Sequence, residues 1–163
     1  MGQRPGPSDT VPRVSVVLPA YRSEATVGGC LSALRRQTCT DFETVLIDSA
    51  PGAGSAAVAA AGFPEVRVHV SERRLLPHAA RNLGVTLARG DLLVFSDPDT
   101  YGRPAWLERL VAGWERHGDV VVGAIANHGD RWLDTGIHLA KFSKVLPGGA
   151  DRPVDTAPTA NVL

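Results

Sequence analysis

Leu92-Leu93-Val94-Phe95-Ser96-Asp97-Pro98-Asp99 places two carboxylates one residue apart, directly after a short apolar run. Leu92 to Phe95 reads as a buried strand, and Asp97-Pro98-Asp99 as the turn that leaves it. The segments on either side read as helices. Pro77 suits the first position of a helix that runs to Arg89 and stops at Gly90. Pro104 opens another, in which Trp106, Leu107, Leu110, Val111 and Trp114 form one apolar stripe before Gly118 closes it.

The same alternation extends towards the N-terminus. Val14-Ser15-Val16-Val17-Leu18, ending at Pro19, is a continuous β-branched run of the kind buried on both faces. Glu24 to Arg36 reads as a helix capped by Ser23, with Val27, Leu31 and Leu34 on one stripe. Thr44 to Ile47 and Val66 to Val70 read as strands, and Ala53 to Gly62 as an alanine-rich helix between them. Val120 to Ile125 is expected to be a fifth strand. Strands that alternate with helices imply an α/β fold, a mostly parallel sheet with helices on both faces. After Ala126 the rhythm changes: Trp132 to Leu146 reads as a helix or a mixed segment, and the rest as extended. The expected organisation is a leader over 1–12, an α/β domain over 13–126, and over 127–163 the start of a further region.

Composition bounds the function. The 163 residues are 44% hydrophobic and 21% charged, an ordinary globular balance for about one domain. Seventeen basic residues meet seventeen acidic ones, so the charge offers nothing to nucleic acid or an anionic surface. Cys30 and Cys39 form neither a metal motif nor a disulfide framework, and a cytoplasmic setting follows. The five histidines lack zinc-ligand spacing. No apolar run approaches the roughly 20 residues of a membrane helix.

In a parallel α/β sheet, ligands sit beyond the carboxyl ends of the strands. Pro19-Ala20-Tyr21, Asp48 and Asp97-Pro98-Asp99 all fall there. Paired hard oxygen ligands suit Mg²⁺ or Mn²⁺, with diphosphate oxygens completing the octahedron. Singly, each has a plainer reading: a turn for Asp97-Pro98-Asp99, a cap for Asp48, packing for Tyr21.

The order of segments resembles the GT-A fold of family-2 inverting glycosyltransferases. The resemblance is carried by Val14 to Glu24, Leu31 to Thr38, Phe42 to Asp48, Ala80-Arg81-Asn82-Leu83-Gly84 with Ala88 to Asp91, Asp97-Pro98-Asp99, and Pro104 to Glu108. It implies a nucleotide diphosphate sugar as donor, a UDP-sugar most often, an acceptor of unspecified kind, and a divalent cation. Pro19, Ala20 and Tyr21 would line the base pocket, and Asp48 would hydrogen-bond the base. Asp97 would contact ribose or metal, Asp99 would ligate the metal, and Arg74 would reach the diphosphate. Arg81 and Asn82 are expected to shape the loop and helix only. The protein would be cytoplasmic or peripheral at the inner face of a membrane.

Two departures matter. After Asp48 the family's polar stretch is replaced by Ser49-Ala50-Pro51-Gly52-Ala53-Gly54. The family's catalytic base lies downstream of a segment like Thr159-Ala160-Asn161, so it is expected beyond Leu163. Asp130, Asp134, Asp151 and Asp155, the nearest carboxylates, match no expected motif. The chain is therefore expected to be the donor-binding portion, its acceptor half truncated. Two rival readings are a non-catalytic nucleotide-binding module of the same fold and a dinucleotide-binding oxidoreductase. The latter rests on Gly52-Ala53-Gly54-Ser55-Ala56-Ala57, with Glu72 twenty residues on.

Overall fold

Every residue of β1 (Val14–Ala20) is buried, as the unbroken apolar run requires. β1 pairs in parallel with β2 (Phe42–Asp48) on one side and with β4 (Leu92–Ser96) on the other. β3 (Arg67–Val70) adds to β2, also in parallel, so that the sheet runs β3-β2-β1-β4-β5. The computed structural model describes residues 11–50, 52, 54–118, 120–127, 129, 131–149 and 151–163. Most of the expected leader lies outside them.

Successive residues of β1 and β2 face opposite sides of the sheet. Val14, Val16, Leu18 and Leu46 meet Val27, Leu31 and Leu34 of α1 (Glu24–Arg35) in the larger core. Leu107, Leu110 and Val111 of α4 (Trp106–His117) join the same core. On the other side Val45 and Ile47 pack with Ala80, Leu83 and Leu87 of α3 (Pro77–Leu87). Gly84 lets α3 approach closely, because a Cβ there would run into the side chain of Val17. α2 (Gly54–Gly62) links β2 to β3. Gly118, with φ of 72°, ends α4 in the left-handed cap its sequence forecast.

Two expectations fail. Ser23 occupies the N-cap of α1 but makes no side-chain cap bond; its hydroxyl donates to the carbonyl of Tyr21 at 3.4 Å instead. Residues 120–125 form no regular strand. The slot beside β4 that a fifth parallel strand would take is held by β5 (Asn161–Val162), which runs antiparallel. Residues 121–123 then ladder onto the chain's last residues, with Val121 N–H to Leu163 O at 2.8 Å and Gly123 N–H to Asn161 O at 3.0 Å. Ile125 N–H turns away to Val145 O at 2.8 Å, which ends the ladder. The final residues thus pair into the same sheet. Between these segments lies α5 (Trp132–Phe142), none of whose residues is buried.

The amino edge of the sheet is tied by one carboxylate. Glu43, with a side chain 5% exposed, stands at the start of β2. Its Oε1 accepts from Ser15 Oγ at 2.7 Å and from Arg89 N–H at 2.7 Å. Its Oε2 accepts from Arg67 Nη1 at 2.8 Å and Arg89 Nε at 2.9 Å. Burial alone would raise the Glu43 pKa; the bonds from Ser15, Arg67 and Arg89 hold it below the ordinary value. This network joins β1, β2, β3 and the turn into β4.

Candidate functional site

At the carboxyl edge, β1 delivers Pro19 and Ala20 to the base of a cleft of about 110 Å³. Tyr21 and Arg74 form its walls, together with Ser49, Leu75 and Pro77. The Arg74 guanidinium lies over the Tyr21 ring, 4.4 Å from its centre, and Arg22 sits near the same ring at 5.4 Å. Arg22 has φ of 53°, a left-handed conformation that costs a non-glycine residue of order 1 kcal/mol. The loop leaving β1 is therefore held in a strained form beside the cleft.

Asp48 ends β2 fully buried. Its Oδ1 accepts the N–H of Ala50 at 3.0 Å, and its Oδ2 the N–H of Ala56, in the first turn of α2, at 2.8 Å. The carboxylate thus ties down the loop that follows β2 and satisfies an otherwise orphaned helix amide. The same geometry answers the dinucleotide reading. The helix opened by Gly54 follows β2 rather than β1. Its N-terminal turn is engaged by Asp48, and the Glu24 side chain lies against Gly54 where a pyrophosphate would need to approach.

Asp97 and Asp99 emerge from β4 in a turn closed by the Thr100 N–H to the Asp97 carbonyl at 3.0 Å. Arg81, on α3, donates from Nη2 to Asp97 Oδ1 at 2.5 Å. Burial, then the charge of Asp99, raise the Asp97 pKa; Arg81 opposes them without cancelling them. Asp99 is exposed and makes no side-chain hydrogen bond among the described residues. Below the turn, the buried Cys30 thiol is pushed up to about 12 by burial first and then by Asp99 and Asp97. It behaves as an inert core thiol.

The residues present fit a divalent cation of the magnesium type. Asp99 offers free oxygens and Asp97 keeps one oxygen clear of Arg81. No three His, Cys, Asp or Glu side chains gather as a complete ligand set among the described residues. Phosphate oxygens and water would have to complete the octahedron, as is usual for Mg²⁺.

Of the residues singled out from sequence, Pro19, Ala20, Tyr21 and Arg74 share one cleft. Asp97 and Asp99 share the neighbouring turn. α3 links the two, since Ala80 lines the cleft while Arg81 reaches Asp97. Asp48 is the strand partner of Ala20 and does not itself line the cleft, although the following Ser49 does. Among the nearest downstream carboxylates, Asp151 pairs with Arg116 and Asp155 with Lys144 on the surface, and Asp130 lies outside the described residues.

Sequence reasoning missed three contributors. Arg81, expected to shape the loop and helix only, also reaches Asp97. Gln37, buried after α1, donates from Nε2 to Arg103 O at 2.8 Å and accepts Leu107 N–H at 3.0 Å. It thereby pins the segment between the carboxylate turn and α4. Asn161 accepts the Trp106 indole N–H at 2.7 Å and donates to Ala124 O at 3.0 Å. Gln37 stands among polar residues and offered no signal of this role, and Asn161 offered only its place before Val162-Leu163.

The fold is that of the GT-A transferases. S. aureus TarS, solved with UDP-GlcNAc, is similar with a TM-score of 0.65 and 25% identity over 73% of this chain and 36% of its own. The mannosyltransferase PcManGT of Pyrobaculum calidifontis, solved with GDP-Man and Mn²⁺, shares the fold with a TM-score of 0.59, 24% identity and coverage of 75% and 37%. The chain belongs to glycosyl transferase family 2, whose pattern matches residues 15–154. It is 30% identical to the undecaprenyl-phosphate 4-deoxy-4-formamido-L-arabinose transferase of Aeromonas hydrophila, over 82% of this chain and 47% of that one. It is 28% identical to glycosyltransferase AglE of Haloferax volcanii, over 71% and 40%. The chain thus spans less than half the length of these relatives. Among the described residues no helix is long and apolar enough to cross a membrane.

Proposed function

We propose that this chain is the donor-binding portion of an inverting, cation-assisted glycosyltransferase that takes a UDP-sugar. One observation carries the reading: the Tyr21–Arg74 cleft and the Asp97–Asp99 turn stand side by side at the carboxyl edge of the sheet, linked by α3. A base seated against Pro19, Ala20 and Tyr21 sets its diphosphate towards the two carboxylates. Arg74, held on an aromatic face and free of any carboxylate partner among the described residues, turns to the diphosphate. Asp99, with Asp97, holds Mg²⁺ or Mn²⁺, which when bound neutralises charge on the leaving diphosphate.

Asp48 contributes to the base pocket by ordering the loop after β2. A carboxylate has about four acceptor positions and two are engaged, so Asp48 also bonds the base once that loop moves aside. The base that deprotonates the acceptor comes from outside these 163 residues, in keeping with the greater length of the relatives. The parent enzyme works in the cytoplasm or at the inner face of a membrane.

A melting-temperature panel of nucleoside diphosphates with and without Mn²⁺ tests the reading. Ligand at 100 times its dissociation constant stabilises by about 2.7 kcal/mol, a readily measured shift. UDP with Mn²⁺ should raise the melting temperature most, and Asp99→Ala should remove the Mn²⁺-dependent part. Equal stabilisation of wild type and Asp99→Ala by UDP with Mn²⁺ would end the metal role. No response to any nucleotide would end the donor role.

A further inference from the structure

Arg81 combines a met contact with an unmet one. Its side chain is 13% exposed, and Nη2 donates to Asp97 Oδ1 at 2.5 Å. Its Nε is buried and finds no acceptor among the described residues. A buried donor without a partner is a standing penalty, rare enough in folded chains to need a cause. The guanidinium is therefore well placed for Asp97 and poorly placed for its own remaining N–H.

Charge supplies the cause. Asp97 and Asp99 together carry two negative charges in front of β4. Arg81 reduces the sum to one and occupies one of the four carboxylate oxygens. A bare divalent cation arriving there meets half the charge, a partly blocked ligand set and no third carboxylate, histidine or cysteine close by. A diphosphate reverses this, because it brings negative charge and oxygens of its own. Guanidinium groups bind phosphate oxygens at least as well as carboxylates, through two parallel bonds. Arg81 can then exchange Asp97 for a phosphate oxygen and give its Nε an acceptor.

We propose that Arg81 is a positioning residue that holds Asp97 in the cation-free protein and releases it only when cation and nucleotide diphosphate arrive together. This rests on the donor-binding reading above. It makes Arg81 the source of a positive coupling between the two ligands, which by linkage must be reciprocal.

The test measures free Mn²⁺ by electron paramagnetic resonance with the full 163-residue chain, alone and with saturating UDP. Wild type should take up Mn²⁺ weakly alone and much more tightly with UDP. Arg81→Gln should bind Mn²⁺ alone about ten-fold more tightly, the order expected for removing one partly screened charge a few ångström away. UDP should tighten Mn²⁺ in that variant by a correspondingly smaller factor. Arg81→Met keeps the volume of the buried stem and carries the same expectation, should Arg81→Gln not fold. Arg81→Lys keeps the charge and should stay near wild type. A merely structural Arg81 would weaken both affinities together and leave the coupling unchanged. If wild type binds Mn²⁺ with UDP and the Gln and Met variants show wild-type affinity for Mn²⁺ alone, Arg81 is no such device while the donor reading stands. If wild type with UDP takes up no Mn²⁺, the cation-assisted reading on which this rests falls with it.

Discussion

The two edges of the sheet use similar residues to opposite ends. At the amino edge Glu43 is buried, and four hydrogen bonds from Ser15, Arg67 and Arg89 use both its oxygens. At the carboxyl edge Asp97 shares one oxygen with Arg81, Asp99 stands exposed, and the Nε of Arg81 has no acceptor. The first is a completed network, which raises stability. The second is an incomplete one, and the groups left over are those a ligand could satisfy. This family-2 glycosyltransferase domain thus keeps its completed ion-pair network and its unsatisfied charges at opposite ends of the same strands.

The sharpest way to break that contrast is to remove a carboxylate at each edge. Glu43→Ala strands two arginines against a buried site. It should cost about 3 kcal/mol by urea unfolding, the lower end for a broken buried pair, since Arg67 and Arg89 are each more than a third exposed. Asp99→Ala should change stability by no more than about 0.5 kcal/mol, as expected for an exposed, unpaired residue. Comparable losses at the two positions would remove the distinction.

An intermediate effect is expected at Gln37, a structural residue beside the binding edge. Gln37→Ala leaves the Leu107 N–H and the Arg103 carbonyl without their side-chain partner and should cost about 1–3 kcal/mol. Because these bonds anchor the segment after Asp99, hydrogen exchange at Leu107 should speed up more than at β1 amides. Uniform acceleration would mean that Gln37 supports the whole domain rather than this loop.

The smallest effect is a difference in pH dependence. Glu43 has a lowered pKa, so its stabilisation is present above the ordinary carboxylate range and lost as pH falls through the folded value. Asp97 has a raised pKa. The folded state takes up that proton before the unfolded state does, so acidification through this range favours folding. Urea midpoints between neutral and acid pH should fall less steeply in Glu43→Gln than in wild type, and more steeply in Asp97→Asn. Shifts of the same sign in both variants would contradict the opposite electrostatics of the two edges.

Legibility followed the same division. The four parallel strands, the stripe of α4 and its cap at Gly118 were readable because each depends on residues within a few positions of one another. Pro19, Ala20 and Tyr21 were readable as the end of the first strand, whereas Arg74 lies in the loop after β3 and its place over the Tyr21 ring is a tertiary outcome. That the buried Asp48 carboxylate also accepts amides two and eight residues along was not readable from the sequence. Residues 120–125 had the composition of a strand, but composition carries no information about which strand slot is vacant.

By itself, then, the sequence determined an α/β alternation and two carboxylates delivered to the carboxyl edge of a parallel sheet. Both follow from hydrophobic periodicity and from glycine and proline punctuation, which act locally. Only the tertiary structure decided that β5 would take the place beside β4, that Asn161 would hold Trp106 across 55 residues, and that Gln37 would brace α4 across 70. It alone decided that Arg81 would meet Asp97 while leaving Nε unpaired. Those outcomes depend on which surfaces the packed helices bring together, and a hydrogen bond between distant residues leaves no period in the chain that makes it.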